Sequence, residues 1–145
     1  MKYVNIYLSG GMGDISYEEQ MKWRLQVINA ILYGDYGYKM TPLFFNPPEY
    51  YNFEEKRHKT EREIFEFELN QVRKSDLIIV NFNVPYSIGT AMELAIAKEH
   101  HIPVIGLNKD KVDLHPWLIE CCTRICDDMH ELVDHVTNFY LQVYQ

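Results

Sequence analysis

The sequence predicts a single α/β domain with a doubly wound, Rossmann-like or flavodoxin-like sheet of five parallel strands and helices on both faces. Three observations lead to this fold class. Short β-prone segments alternate with longer segments whose apolar residues recur at helical spacing. The segment 77–82 is an apolar run of the kind that forms buried parallel strands. The 145 residues suit one domain and show no linker, so we assign 1–145 to a single domain.

Local signals place two strands and two helices in the first half of the chain. The strands are expected at 3–8 and 38–45, and Pro47 and Pro48 stop the second strand because proline cannot continue a hydrogen-bond ladder. The first helix should begin after Ser16, whose side chain can cap it with Glu19 as partner, and should end at Gly34 and Gly37. Its expected inward face is Met21, Leu25, Ile28 and Leu32. A second helix should begin at Thr60, with an inward face of Ile64, Phe67 (or Phe65) and Val72.

The second half continues the alternation of strands and helices. The expected strands are 77–82, 102–107 and 124–126. The expected helices are 90–100 and 128–144, with loop and a short helix at 109–122. In such sheets ligands bind beyond the carboxyl ends of the strands. We therefore expect the chemistry in the loops that follow strand ends, at 9–14, 83–89 and 108–117.

Charge and hydropathy exclude several classes of partner. The formal net charge of -7 argues against a polymeric nucleic acid, which needs a basic surface. No apolar run approaches the roughly 20 residues that span a bilayer. The first eight residues are too short and too polar for the apolar region of a signal peptide. We therefore expect a cytoplasmic protein that does not associate with membranes.

The three cysteines, Cys121, Cys122 and Cys126, form one cluster of odd number, which does not suit a disulfide framework. Cys122, Cys126 and His130 would share a face if this segment were helical, so a soft-metal site is one interpretation. The alternative is a short strand at 123–126, which would separate these side chains. We favour that strand, with reduced structural thiols and no metal.

The glycine-rich loop 9–14 contains Ser9, Gly10 and Gly11 but lacks the Gly-Lys-Ser/Thr ending of a P-loop. It also lacks the full spacing of a dinucleotide site. Its glycines allow backbone N–H groups to approach a ligand closely. The alternative is a tight turn from strand to helix, so this loop alone is a weak signal.

Glu93 lies about one turn into the helix that follows the loop 83–89. The positive end of a helix should keep such a carboxylate ionised at neutral pH. An ionised carboxylate can attack an anomeric carbon and form a glycosyl ester. The alternative is a glutamate that only complements the helix dipole.

Four further side chains are candidates, each with a structural alternative. Tyr7 could orient the carboxylate or donate a proton, or it could be a core aromatic residue. Glu68 could be a second acid, or a solvated helical charge like Glu63 and Glu66. His115 and Trp117 could contact phosphate and base, although tryptophan commonly serves as a packing anchor.

At these residues the chain resembles the nucleoside 2-deoxyribosyltransferase superfamily, from Tyr3 to about Trp117. The motifs that carry the resemblance are Tyr7–Gly11, Ser75–Val80, Gly89–Ala95 and Ile102–Gly106. It implies that Glu93 is the nucleophile, assisted by Tyr7, and that no cofactor is needed. The catalytic set it implies is Glu93, Tyr7 and Glu68. The substrate-binding set is Ser9, Gly10, Gly11, Asn81, Ser87, Gly89, His115 and Trp117. It also implies a homodimer or larger homo-oligomer that acts on a nucleotide or nucleoside.

The superfamily contains transferases, which exchange bases between deoxynucleosides, and hydrolases, which prefer a 5'-monophosphate. Six residues before the nucleophile, transferases typically have an aspartate and hydrolases a serine. Ser87 occupies this position and favours the hydrolase, since a serine hydroxyl can donate a hydrogen bond to a phosphate, whereas an aspartate would repel it. Base exchange and a non-catalytic nucleotide-binding module remain the alternatives.

Two positions depart from the superfamily pattern. Glu68 stands where the superfamily usually has an aspartate. In the late loop, Asp113 is nearest to an asparagine that transferases supply to a neighbouring subunit. His115 better matches the serine that hydrolases lend across the dimer interface, and a partly protonated histidine could bind phosphate there.

Overall fold

The computed structural model describes residues 2–50 and 57–142, which contain a five-stranded parallel sheet. Its strands are β1 (Tyr3–Gly10), β2 (Thr41–Phe45), β3 (Leu77–Asn81), β4 (Val104–Leu107) and β5 (Arg124–Cys126). The strand order is β2-β1-β3-β4-β5, and every neighbouring pair is parallel. The predicted fold class is confirmed. In this order the direction of winding reverses between β1 and β3, where doubly wound sheets form their ligand crevice.

Five α-helices connect and cover the strands of the described region, and a 3-10 helical turn, Pro47–Glu49, follows β2. The α-helices are α1 (Tyr17–Tyr33), α2 (Glu61–Arg73), α3 (Ile88–Glu99), α4 (Pro116–Cys121) and α5 (Met129–His135). As predicted, the side chain of Ser16 accepts the Glu19 N–H and Gly34 ends α1. A reciprocal capping box lies at the start of α2, between Thr60 and Glu63. No helix in the described ranges is long and apolar enough to cross a membrane.

The sheet separates two apolar cores. Val4, Ile6 and Leu8 of β1 pack with residues of α1 and α5 on one face. Tyr7 packs on the other face with residues of α2 and α3, such as Val72 and Leu94. Successive strand side chains alternate between faces, so β1 contributes to both cores. The carboxyl end of β1 therefore lies between α1 on one side and α2 with α3 on the other.

The predicted inward face of α1 is partly correct, since Ile28 is half-buried against the core and Met21 and Leu32 are half-buried. Leu25 is 42% exposed, whereas the buried residues are Gln20, Trp23, Arg24, Val27 and Ile31. Polar Gln20 and Arg24 can lie inside because both donate hydrogen bonds to backbone carbonyls. Apolar residues at helical spacing do not include polar Gln20 and Arg24, so the sequence pattern indicated a neighbouring stripe of the helix.

The predicted inward face of α2 is partly correct. Val72 is fully buried and Ile64 is half-buried. Phe65 and Phe67 are exposed, although the Phe67 ring packs against Phe45 with 5.8 Å between ring centroids. The exposed edge of the helix therefore carries aromatic rings.

Several predicted boundaries shift, since β4 begins at Val104 rather than residue 102 and α3 at Ile88 rather than residue 90. β2 begins at Thr41 rather than residue 38, because the N–H groups of Lys39 and Met40 donate to the Leu141 carbonyl instead of to a strand. The last helix continues from α5 into a π-helical turn, Val136–Tyr140, and its predicted end at residue 144 lies outside the described residues.

The cysteine segment forms the predicted strand β5 and not a helix, so the helical face that would join Cys122, Cys126 and His130 does not exist. Burial raises the pKa of Cys122 to about 12 and that of Cys126 to about 11. Such thiols are protonated at neutral pH. No group of three metal-binding side chains occurs in the part of the chain described.

Candidate active site

A cavity of about 400 Å³ opens at the crevice between β1 and β3. It lies between the end of β1, helix α2 and the start of α3. Its walls are formed by Gly10, Met12, Gly13, Glu61, Ile64, Phe65, Glu68, Ser87, Gly89, Thr90 and Glu93. The structure thus brings together five residues that the sequence selected, namely Gly10, Glu68, Ser87, Gly89 and Glu93.

Glu93 is the buried carboxyl of this cavity. The Ser9 hydroxyl donates a hydrogen bond of 3.2 Å to its Oε1 atom, and Ser9 itself is fully buried. Burial raises the pKa of Glu93 to about 8, and the Glu68 carboxylate adds to this effect. The hydroxyls of Tyr7 and Ser9 and the charge of Arg24 act in the opposite direction.

The structure corrects the expectation that the helix end keeps Glu93 ionised at neutral pH. α3 begins at Ile88, so Glu93 lies in its second turn. The effect of a helix end falls off within the first turn, whereas loss of solvation acts on the whole buried carboxylate. Loss of solvation is the larger effect here, and with a pKa of about 8 the protonated form of Glu93 predominates at pH 7.

Tyr7 and Glu68 are the two acidic side chains that shift the pKa of Glu93. The Tyr7 ring is fully buried and stacks on Phe45 with 5.2 Å between centroids. Burial, then the Glu93 carboxylate, hold the pKa of Tyr7 well above its usual range. The Tyr7 hydroxyl forms no hydrogen bond of standard geometry with any described residue, yet it is close enough to Glu93 to lower the pKa of that carboxyl. Burial also raises the pKa of Glu68, to about 7, against the opposing charge of Arg24.

Ser87 and Gly89 form the opposite wall of the cavity, at the N-terminus of α3. Ser87 is the N-cap, and its Oγ accepts hydrogen bonds from the N–H and the hydroxyl of Thr90, at 3.3 and 3.1 Å. The hydroxyl proton of Ser87 stays available to a ligand. A Cβ atom added to Gly89 would meet no atom within 4 Å, so this part of the wall is open.

Four residues of the predicted binding set lie elsewhere in the single chain. Asn81 borders a second cavity, of about 420 Å³, beside α1 and α5. His115 and Trp117 border a third, of about 450 Å³, along the outer side of α3. His115 caps α4 by accepting the Trp117 N–H. Gly11 is buried against Val84 instead of facing the cavity.

Gly11→Ala is expected to destabilise the fold by roughly 1–3 kcal/mol, the usual cost of overpacking a core. A Cβ atom at Gly11 would stand 2.4 Å from the Cβ of Val84, a contact that only a shift of the loop can relieve. Gly13→Ala is the control, since a Cβ there meets nothing within 4 Å. Urea unfolding measures both variants, and equal midpoints would contradict the packing argument.

Sequence reasoning missed Arg24, which is fully buried beneath the end of β1. Its guanidinium donates to the carbonyls of Leu8, Gln20 and Gly10, at 3.3, 2.6 and 3.2 Å. Burial lowers its pKa to about 10, so it remains a cation at neutral pH. The sequence signal that could have revealed it is the spacing of Gln20, Trp23, Arg24 and Val27, which places two polar residues on one apolar helical stripe.

Neither a protein-family model nor a curated protein matches this chain. Several solved structures are similar to it. A 2-deoxyribosyltransferase from Bacillus psychrosaccharolyticus is 15% identical with a TM-score of 0.71, over 98% of this chain and 100% of that one. The 2-deoxyribosyltransferase from Leishmania mexicana is 15% identical with a TM-score of 0.63, over 95% and 99%. The CMP N-glycosidase from Clostridium botulinum is 16% identical with a TM-score of 0.56, over 93% and 99%. The chain therefore has the α/β fold of these 2-deoxyribosyltransferase and N-glycosidase structures, as its sequence resemblance implied.

Proposed function

We propose that this protein cleaves the N-glycosidic bond of a deoxynucleoside or its 5'-monophosphate, with Glu93 as the nucleophile. The observation that carries the proposal is the buried Glu93 carboxyl, which Ser9 holds at the β1–β3 crevice and which borders an open cavity. The fold is also that of structures whose names describe deoxyribosyl transfer and N-glycosidase activity. A nucleophilic carboxylate beside a second carboxyl is the arrangement that retaining glycosidases use.

The reaction divides into two displacements at C1'. In the first, a carboxylate oxygen of Glu93 forms a bond to C1' while the bond from C1' to the base breaks, and its electron pair leaves with the base. Glu68, whose pKa is about 7, donates the proton that the departing base requires, or Tyr7 does so. In the second, water attacks C1', the ester bond breaks, and the water proton returns to whichever of Glu68 or Tyr7 donated the first one. Glu93 is then free as a carboxylate.

The 5'-monophosphate is the favoured substrate on the strength of the α3 N-terminus. Helix N-termini offer backbone N–H groups and partial positive charge to a phosphate. Ser87 and Gly89 lie at this end of α3 and border the same cavity as Glu93. A phosphate bound there would place the sugar between the helix end and the nucleophile. Water would then attack the glycosyl ester of Glu93, so the overall reaction on a monophosphate is hydrolysis.

A free deoxynucleoside with base exchange is the second candidate, and the charge of the cavity favours it. The described residues that line the cavity include Glu61, Glu68 and Glu93 but no lysine, arginine or histidine. Carboxylates repel a phosphate dianion, most strongly where solvent is excluded. A neutral nucleoside avoids this repulsion, and a second base instead of water would then resolve the glycosyl ester.

One panel of substrates distinguishes these candidates from each other and from a non-catalytic binding module. The protein is incubated with deoxynucleosides and deoxynucleoside monophosphates, with and without an acceptor base, and free bases and new nucleosides are separated by chromatography. Release of base from monophosphates alone supports hydrolysis. Exchange of bases between nucleosides supports the transferase. Nucleotide binding without release of any base overturns the proposed activity.

Ser87→Ala is expected to raise the KM for a monophosphate by about tenfold, because a hydrogen bond to a charged group contributes roughly 1.5–3 kcal/mol. The KM for the matching free nucleoside should not change. The variant also loses the N-cap of α3, which costs about 1 kcal/mol of stability. Ser16→Ala is the matched control because it removes the N-cap of α1, outside the cavity lining. If both variants keep the wild-type KM for the monophosphate, Ser87 does not bind phosphate.

We also propose that the protein works as a homodimer or larger homo-oligomer. Around the cavity beside α3, Tyr86, Ile88 and Trp117 are exposed by 83%, 77% and 79%, and together they form a broad apolar surface. We infer that a second copy covers this surface, which His115 also borders. Trp117→Asp is expected to shift light-scattering mass from oligomer to monomer, while Tyr33→Asp, at the exposed end of α1, should not. A monomeric wild-type protein would contradict the assembly.

A further inference from the structure

Two sets of hydrogen bonds fix the segment 8–10 of β1. Arg24 bonds its backbone, and the side chain of Ser9 bonds Glu93. The Arg24 Nε and Nη2 atoms donate to the carbonyls of Leu8 and Gly10, the residues immediately before and after Ser9. The Ser9 side chain donates to Glu93. A displacement of the two flanking carbonyls would therefore move the hydroxyl that orients the proposed nucleophile.

The charge of Arg24 is also unusual in its surroundings. In the described part of the chain no carboxylate oxygen lies within 4.0 Å of its guanidinium, so no direct ion pair neutralises it. A buried cation without such a pair is costly to stability, and a packed apolar residue would ordinarily serve the fold better. The groups that its charge stabilises are the ionised forms of Glu93, Tyr7 and Glu68. All three belong to the proposed site.

We propose that Arg24 is a positioning residue of the active site, which fixes Ser9 through its neighbouring carbonyls and supplies the positive charge that favours an ionised Glu93. Its part in catalysis rests on the proposed function, but both of its physical effects exist without substrate. Among the described residues, the titratable groups that shift the pKa of Glu93 come from three elements: Tyr7 from β1, Glu68 from α2 and Arg24 from α1, while Glu61 also borders the cavity. Arg24 is the only cation among them, so its removal has a predictable sign.

The test is a direct titration of Glu93 in protein labelled with ¹³C at the glutamate carboxyl carbons, with the resonance assigned by its loss in Glu93→Gln. Removing the cation in Arg24→Met should raise the pKa of Glu93 measurably, because a positive charge favours the ionised carboxylate. Arg73→Met is the matched control, because Arg73 is an exposed arginine in the last turn of α2. A folded Arg24→Met protein in which Glu93 titrates as in wild type overturns the proposal.

Arg24→Lys separates the two effects and guards against a Met variant that fails to fold. Lysine keeps the positive charge, but its single ammonium group cannot reproduce the guanidinium bonds that flank Ser9. We expect a Glu93 pKa close to wild type, a shifted Ser9 amide resonance and a kcat reduced by about tenfold. An unshifted Ser9 resonance, or a Glu93 pKa that rises as far as expected for removal of the charge, contradicts the proposal. If the wild-type protein releases no base, the proposed function fails while these titrations still decide the role of Arg24.

Discussion

Glu93→Gln is expected to abolish base release, with kcat lowered on the order of 10⁴-fold or more, which is the scale of loss when a covalent nucleophile is removed. Glutamine has the shape of glutamate and can still accept the hydrogen bond from Ser9. Its amide cannot form the glycosyl ester, so no covalent path remains. Chromatography of the released base measures the loss, and circular dichroism verifies that the fold is intact.

Glu66→Gln is the matched control, because Glu66 is an exposed glutamate of α2 that does not border the cavity. Its base release should equal that of wild type. The intact mass after a brief reaction gives a second readout, in which wild type gains one glycosyl group and Glu93→Gln gains none. Equal rates of release in wild type and Glu93→Gln would show that another group is the nucleophile.

The free energy of unfolding should fall as pH rises from about 4.5 to about 8, and Glu93 is the main cause. Its folded pKa is about 8, above the ordinary value of 4.5, so the folded protein binds more protons than the unfolded chain throughout this window. Below the window both states are protonated and the penalty is absent. Above the window the penalty is complete, on the order of a few kcal/mol. Urea unfolding at a series of pH values measures it.

Glu93→Gln removes the titrating group, so its stability should change less with pH and should exceed that of wild type at pH 8–9. Glu66→Gln again serves as control and should follow the wild-type curve. If the stability of Glu93→Gln falls with pH as steeply as that of wild type, the raised pKa of Glu93 is not the cause of the pH dependence. The same variant therefore loses activity and gains stability, a combination that a purely structural glutamate does not produce.

The raised pKa values also predict the pH dependence of catalysis. Glu93 must be ionised to attack and Glu68 protonated to donate, although their pKa values are about 8 and about 7. The plot of kcat/KM against pH should be bell-shaped with a maximum near about 7.5, and its two apparent pKa values belong to the pair. Glu68→Gln should remove the alkaline limb unless Tyr7 is the donor.

Short-range signals in the sequence predicted much of the fold. The apolar runs of β3 and β4, the N-caps Ser16 and Thr60, and the alternation of strands with helices all act within a few residues. The segment from Ser87 to Glu93 is equally local, since one helix start presents both residues to one cavity. These features depend on hydrogen bonds and periodicity between residues close in the chain, so the sequence alone predicts them.

Other features of the site arise only when distant segments pack together. Ser9 and Glu93 are 84 positions apart, and nothing near either residue predicts their hydrogen bond. Arg24 lies on a helical stripe that apolar periodicity rejects, yet three carbonyls accept its hydrogen bonds once α1 covers the end of β1. His115 and Trp117 were predicted beside the substrate, but α3 separates them from the cavity of their own chain.

By itself the sequence determined the order of strands and helices and the helix start that carries Ser87 and Glu93, because these depend on neighbours along the chain. The tertiary structure alone decided the protonation of Glu93. Local position near a helix end indicated a carboxylate, whereas burial between β1, α2 and α3 raises its pKa to about 8. Solvation depends on every segment that excludes water from a group, and those segments meet only in the folded protein.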